Sequence, residues 1–310
     1  MVQVDLITGF LGSGKTTFLR RYVEYLVRQG HNVCILENDF GAVNVDAMLL
    51  QDLIGAHCDL ETISGGCDCD THQRRMRTKL ISMAMRGFDR VVIEPSGIFD
   101  VDEFYDILRD EPLDRWYTLG NVIAIVDAKL EDELSLQADY LLASEAASAG
   151  LVVMSRVQQS GAGECAAVID HLNRALAHCH CARRFGADVL CKDWAALTDA
   201  DFARIDGCGW RQTSYVKLHF NEHEAFTSLY FLEAGRSVDQ LKTAAQTLLH
   251  SAQYGHILRI KGFVPDGGGW VELNAARDTM TVQPIPNGQE VLIVIGERLQ
   301  KDAIEKVIQG

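Results

Sequence analysis

Apolar positions along the chain fall into short blocks, and the blocks alternate between two periods. Residues 2–8 (VQVDLIT) form an apolar run of strand length, and the stretch from Thr17 to Gln29 repeats its apolar side chains at helical spacing. Further apolar runs at Val33–Glu37, Arg90–Glu94, Val122–Asp127 and Leu151–Met154 read as buried parallel strands. Helical patterns such as Gln73–Arg86, Leu130–Ala147 and Cys165–Ala177 separate them. Strand and helix in alternation predict an α/β fold, a doubly wound and mostly parallel sheet.

The pattern changes at Asp206-Gly-Cys-Gly209, which reads as a linker. Beyond it the blocks predict a strand near Val216–Phe220, a helix over Ser237–Ser251, and shorter strands at His256–Val264, Trp270–Leu273, Met280–Val282 and Val291–Ile295. A last helix is predicted over Gln300–Ile308. This is the signature of a second, smaller α+β domain, so the expected domains are 1–208 and 213–310. Arg259 and Lys261 alternate on one predicted strand face, which reads as an exposed basic face.

Directly after the first strand comes Gly9-Phe-Leu-Gly12-Ser13-Gly14-Lys15-Thr16-Thr17, and the first helix follows at once. Strand, glycine loop and helix is the order a P-loop requires. Glycines let backbone N–H groups turn inward around phosphates, and the helix N-terminus adds partial positive charge. Lys15 is expected to reach the β- and γ-phosphates, and the Thr16 hydroxyl to ligate Mg²⁺. In open parallel sheets, binding residues lie beyond the carboxyl ends of the strands. Polar clusters stand there: Glu37-Asn38-Asp39-Phe40-Gly41, Glu94-Pro95-Ser96-Gly97, and Asp127.

With these motifs the sequence resembles the CobW-type family of P-loop GTPases, relatives of the hydrogenase and urease nickel-insertion GTPases. Gly9–Thr17 matches the family's P-loop, Asn38–Gly41 its Asn-Glu-Phe-Gly segment, and Glu94–Gly97 its Glu-x-x-Gly motif. Leu258–Val264 and Val291–Gly296 resemble strands of the family's C-terminal domain. The resemblance implies GTP binding with slow hydrolysis, coupled to delivery of a metal ion or metal cofactor to a client metalloprotein or cofactor-dependent enzyme. It places Asp39 in a switch segment near Mg²⁺ and the γ-phosphate, Glu94 in the Mg²⁺ shell, and the Gly97 amide as a γ-phosphate sensor.

Two departures from the family pattern matter. Where the family carries Cys-x-Cys-Cys, this chain reads Cys67-Asp68-Cys69-Asp70. Two thiolates do not complete a tetrahedral site, so Asp70 or His72 would join Cys67 and Cys69 around Zn²⁺ or Co²⁺, and a carboxylate hardens the site. The alternative is a pair of thiols in a glycine turn with no metal, and a protein that is a nucleotide-gated interaction module for its client. The second departure is at the guanine-reading Asn-Lys-x-Asp, where Ser155-Arg156-Val157-Gln158 stands. Gln158 accepts hydrogen bonds only through its amide oxygen and carries no charge, while Arg156 offers a flat guanidinium to stack on a base. GTP, by resemblance, therefore competes with ATP or weak discrimination.

Length and charge narrow the partners. The 310 residues allow one large or two ordinary domains, and 29 Lys and Arg against 43 Asp and Glu give a formal net charge of −14. That balance argues against nucleic acid or an anionic membrane as partner. No apolar run reaches the roughly 18–20 residues that span a bilayer, and residues 1–8 lack signal-peptide character, so a cytoplasmic protein is expected, with homo-oligomers left open. Nine cysteines, odd in number and partly clustered, suit reduced thiols or metal ligands better than disulfides. His178-Cys179-His180-Cys181 offers four ligand types in a row, yet adjacent residues cannot all face one ion.

Overall fold

The computed structural model describes residues 1–39, 45–64, 69–97, 101–218, 220 and 225–309. The chain divides into two compact units, Met1–Leu218 and His219–Gly310.

The first unit is built on a seven-stranded sheet: β1 (Val2–Thr8), β2 (Val33–Asp39), β3 (Cys58–Ser64), β4 (Arg90–Glu94), β5 (Tyr117–Asp127), β6 (Leu151–Ser155) and β7 (Val189–Leu190), all parallel, in the order β3-β2-β4-β1-β5-β6-β7. The main helices are α1 (Lys15–Arg28), α2 (Val45–Leu50), α3 (Cys69–Ala84), α4 (Val101–Arg109), α5 (Leu113–Trp116), α6 (Leu136–Ala147), α7 (Glu164–His178) and α8 (Asp199–Asp206). Strands β4 and β6 are buried along their whole length, which is why they read as unbroken apolar runs. Phe18, Leu19, Tyr22 and Leu26 line one face of α1 and pack on Ile7, Ile35, Val92, Ile123 and Val153 of the sheet.

A buried polar knot interrupts this core. Asp5 sits wholly buried within β1. Its carboxylate accepts from Tyr22 Oη at 2.9 Å, Arg90 Nη1 at 2.5 Å and the Asn121 backbone N–H at 2.8 Å. Arg90 also reaches Asp206 at the end of α8 at 2.7 Å. The β1–β5 register shifts here, so that Gly120 and Asn121 stand opposite Asp5 alone. A Cβ on Gly120 would lie 2.2 Å from Gln3 Nε2 and 2.4 Å from Asp5 Oδ1, so only glycine fits. Burial and the neighbouring carboxylates hold the Tyr22 hydroxyl's pKa well above its usual value.

The segment read as a linker is tied to the sheet. Gly209 accepts from the Val122 N–H at 3.0 Å and donates to Asn121 Oδ1 at 2.9 Å, while the Arg211 N–H meets Ser148 O at 2.9 Å. Residues 211–218 have no regular structure, so the strand expected at Val216–Phe220 does not form over its described residues 216–218 and 220. The Val216 N–H bonds Cys179 O at 2.8 Å instead of entering a ladder.

The second unit carries β8 (Thr227–Leu232), α9 (Val238–Leu249), β9 (His256–Asp266), β10 (Gly269–Ala276), β11 (Thr279–Ile285), β12 (Val291–Glu297) and α10 (Lys301–Gln309). Its five strands form an antiparallel sheet in the order β11-β10-β9-β12-β8. Leu241, Ala245 and Leu248 of α9 and Ile304 and Ile308 of α10 share a core with Ile260, Val264, Leu273, Leu292 and Val294 of the sheet. Lys261 corrects the expectation of an exposed basic face. It is buried, 3.4 Å from the buried Glu272, with its ammonium 5.0 Å above the Phe263 ring.

Candidate functional site

The site is assembled at the carboxyl ends of the parallel strands. β1 ends at Thr8, and the loop that follows turns through Gly9, Gly12 and Gly14 at φ of 143°, 75° and 98° before α1 begins at Lys15. A Cβ at Gly9 would stand 2.3 Å from Ile125 O and 2.7 Å from Ser13 Oγ, so the loop's entry has no room for a side chain. Lys15 is buried, and its ammonium spans the loop to donate to Gly9 O at 2.7 Å. Thr17, two positions after Lys15 in the first turn of α1, is exposed.

Glu94, at the end of β4, meets the loop from the adjacent strand. Thr16 Oγ1 donates to Glu94 Oε1 at 2.8 Å. A Cβ on Gly97 would lie 2.9 Å from Lys15 Nζ and 3.0 Å from the Leu11 N–H nitrogen, so the segment after β4 runs close against the phosphate loop. A hydroxyl and a carboxylate held together beside a lysine form the hard-oxygen donor set that suits Mg²⁺ next to a phosphate. Ser13 Oγ is buried without a partner among the described residues, an orphaned donor 2.7 Å from where a Gly9 Cβ would stand.

On the other flank stand β5, β6 and the turns beyond them. Ser155 closes β6, 2% exposed, and its hydroxyl too has no partner among the described residues. Arg156 follows in the left-handed region, φ 54°, and opens the short 3-10 turn Val157–Gln159. Its guanidinium pairs with Asp127 at the end of β5 and donates to Gly12 O of the phosphate loop at 2.9 Å. Burial raises the Asp127 carboxyl's pKa, opposed by Arg156 and by the Lys129 N–H that donates to it at 2.9 Å. Trp194, past β7, places its ring edge 3.2 Å from where a Gly14 Cβ would be, donates Nε1 to Met154 O at 2.9 Å and lies 5.5 Å from the Phe18 ring. Nothing in the sequence pattern singles out Trp194, because it follows a strand of two residues.

Of the sequence-predicted residues, the structure brings together Gly9, Gly12, Ser13, Gly14, Lys15, Thr16, Glu94, Gly97, Ser155 and Arg156 around one loop. Asp39 is the last residue of β2, and its side chain lies outside the described ones. Cys67 lies outside the described residues, as do the side chains of Cys69, Asp70 and His72, which occupy the first turn of α3. Strand register locates these segments. Asp39 pairs with Ser64 of β3, and Glu37 pairs with Glu94 of β4.

Among the remaining described thiols, Cys34, Cys58 and Cys181 are buried and Cys191 is exposed. Burial pushes Cys34 and Cys208 up to about 12 and Cys58 up to about 11. In the His178–Cys181 run, Cys181 is buried while His178 and His180 are exposed, so the four do not converge. Among the described residues no three His, Cys, Asp or Glu side chains cluster as a metal site. None of the described helices is long and apolar enough to cross a membrane.

Comparison with known proteins extends the geometry. The family model described as "CobW/HypB/UreG, nucleotide-binding domain" matches residues 3–182. The zinc chaperone YjiA of Escherichia coli K12 is 31% identical over 170 residues, 53% of this chain and 52% of that protein. The zinc chaperone YeiR of the same organism is 31% identical over 159 residues, 50% of this chain and 47% of its own length. The zinc-regulated GTPase metalloprotein activator 1 of Schizosaccharomyces pombe is 31% identical over 140 residues, 43% of this chain and 33% of that protein. The matches to the two bacterial relatives thus span about half of their length.

Proposed function

The chain belongs to the CobW/HypB/UreG family, and on that premise we propose that it is a slow P-loop GTPase whose nucleotide state controls the delivery of a metal ion, zinc as cargo, to a client metalloprotein. The observation that carries the coupling is the strand order β3-β2-β4-β1. Across the sheet, β3 ends at Ser64, five residues before the start of α3 at Cys69, β2 ends at Asp39, β4 ends at Glu94 with Gly97 beyond it, and β1 ends at the phosphate loop. A change at the γ-phosphate therefore needs to cross only adjacent strand ends to reach Ser64, from which the chain continues to Cys67 and Cys69.

The chain's own residues have distinct tasks in this reading. The Gly9–Gly14 amides and the start of α1 cradle the phosphates, and Lys15 exchanges its bond to Gly9 O for the β- and γ-phosphate oxygens. Thr16 and Glu94 would hold Mg²⁺, which when bound neutralises phosphate charge. Gly97, pressed against Lys15 and Leu11, adjusts its amide to the presence of the γ-phosphate, and Asp39 follows on the adjacent strand. Hydrolysis releases both segments and changes what the Cys67, Cys69, Asp70 and His72 group binds. Such a switch acts only through a difference in metal affinity between the two states.

Replacing Cys67 and Cys69 by serine tests the reading. Metal content and client activation are expected to fall while nucleotide binding stays. Unchanged metal content and client activation would favour a nucleotide-gated interaction module, the reading in which Asp70 marks a lost metal site.

A further inference from the structure

We propose that residues 210–217 form a strap that couples the nucleotide state of the first unit to the chain entering the second, with Asp102 of α4 as its clasp. The strap is fastened while a triphosphate holds the segment at Gly97, and it slackens after hydrolysis. This coupling rests on the nucleotide switch proposed above and gives it a second output.

α4 begins at Val101, four residues after Gly97, so a displacement of the γ-phosphate segment reaches the first turn of the helix through a short stretch of chain. Val101, Phe104 and Ile107 are buried and turn one face of α4 into the core. Asp102, Tyr105 and Arg109 recur at helical spacing on the face away from it.

The strap crosses that second face. Tyr215 Oη donates to Asp102 Oδ2 at 3.3 Å, and Lys217 Nζ pairs with the same oxygen at 3.1 Å. At the strap's other end the Trp210 ring lies 6.2 Å from the Tyr105 ring, whose hydroxyl bonds Ser148 Oγ. A cavity of about 380 Å³ separates helix and strap, walled by Tyr105, Asp106 and Arg109 on one side and by Arg211, Gln212 and Thr213 on the other. The two elements are therefore not close-packed along their length, and the clasp can open with no core to repack.

The strap's backbone is fixed to the body of the first unit instead. The Arg211 N–H donates to Ser148 O at 2.9 Å and the Val216 N–H to Cys179 O, just past α7, at 2.8 Å. The Tyr215 ring meets the Tyr140 ring of α6 edge-on at 6.2 Å. Residues 215 and 217 thus reach α4 through their side chains, while the amide between them reaches the far side, so the Val216 N–H reports whether the clasp is shut. Leu218 ends the first unit and His219 begins the second, which makes this strap the last stretch of chain before it. A clasp that is tighter in one nucleotide state favours that state by linkage, so opening it lowers the preference for the triphosphate.

The test is hydrogen exchange of residues 211–218 in the full chain, with Mg²⁺ and either GDP or a non-hydrolysable GTP analogue, together with the affinity for each nucleotide. The wild type is compared with Asp102→Ala and with the double variant Tyr215→Phe, Lys217→Met, which opens the clasp from the strap and leaves α4 untouched. The replaced side chains are all partly exposed, so the variants retain the fold. In the wild type the Val216 amide is expected to exchange about fivefold or more slowly with the analogue than with GDP. In both variants that difference is expected to vanish, and the preference for the analogue over GDP to fall by about threefold or more.

Equal exchange in the two states of a wild type that binds both nucleotides, or an unchanged preference in the double variant, overturns the strap and leaves the nucleotide site standing. If neither nucleotide binds, the nucleotide site falls and the strap with it. Neither readout involves metal, so a failure of metal delivery leaves both intact.

Discussion

Thr16 Oγ1 stands 2.8 Å from Glu94 Oε1, joining the first turn of α1 to the end of β4 across 78 residues of sequence. This contact puts the two hard-oxygen donors of the site side by side, on neighbouring elements of a rigid sheet. Removing either should therefore affect the Mg²⁺-dependent part of nucleotide handling and little else. We expect Thr16→Ala and Glu94→Gln each to slow single-turnover triphosphate hydrolysis by about ten- to a thousandfold while diphosphate binding without Mg²⁺ stays within about threefold. Stopped assays of hydrolysis, paired with binding in EDTA, check this. Equal loss in both measurements would mean that the pair serves the fold.

Gly97 offers a more local test of the switch. Its absent Cβ would fall 2.9 Å from Lys15 Nζ and 3.0 Å from the Leu11 nitrogen. Gly97→Ala should push this segment off the phosphate loop and weaken triphosphate binding by about tenfold or more, with a smaller effect on the diphosphate. Calorimetric titration with a non-hydrolysable triphosphate and with the diphosphate reads the two separately. Equal weakening would place Gly97 outside any γ-phosphate sensing.

Much of this arrangement is legible in the sequence, and the exceptions have physical causes. β1 and β4 coincide with their predicted ranges because buried strands are dominated by apolar residues, even where β1 carries the buried Asp5. β3 escapes detection because it is an edge strand whose residues 59–62 are only half-buried, so CDLETIS shows no such run. The coupling of the Asp39 and Gly97 loops to the Cys67–His72 segment rests in the sequence on resemblance and nearness along the chain, and the register adds that Ser64, the last residue of β3, pairs with Asp39. Lys261 reads as exposed because charge in a strand usually is, and only tertiary structure reveals Glu272 beneath it. The P-loop, by contrast, is a local device whose contiguous residues are legible as a whole.

The buried knot around Asp5 predicts a large effect on stability. Removing Arg90 leaves a carboxylate in the core without its main counter-charge. We expect Arg90→Met to lower the unfolding free energy of the first unit by about 3–5 kcal/mol. The double variant Asp5→Asn, Arg90→Met should lose less than the sum of the single changes, because both members of the pair are then neutral. Denaturant unfolding followed by circular dichroism measures both, and strict additivity would contradict the pairing.

Acid should loosen the start of α8. Lys192, followed by the Thr198 hydroxyl and amide, lowers the Asp201 carboxyl to about 2, below its ordinary 3.8. A carboxyl depressed in the folded state stabilises above its unfolded value and loses that contribution as pH falls through its folded value. Protection of the α8 amides should therefore decline between about pH 4 and 2. Asp201→Asn should remove this dependence, since it abolishes the titration. Hydrogen exchange across Asp199–Asp206 reads the change, and an unaltered pH profile in the variant would assign the titration elsewhere.

The central claim is that nucleotide state and metal affinity are linked. Its most direct test is titration of metal-free protein with Zn²⁺ and with Co²⁺, in Mg²⁺ with GDP and in Mg²⁺ with a non-hydrolysable GTP analogue. Thiolate-dependent binding is expected, with an affinity that differs between the two states by about fivefold or more, the range of ordinary allosteric coupling. Identical affinity in both states, or no stoichiometric metal in either, would contradict it.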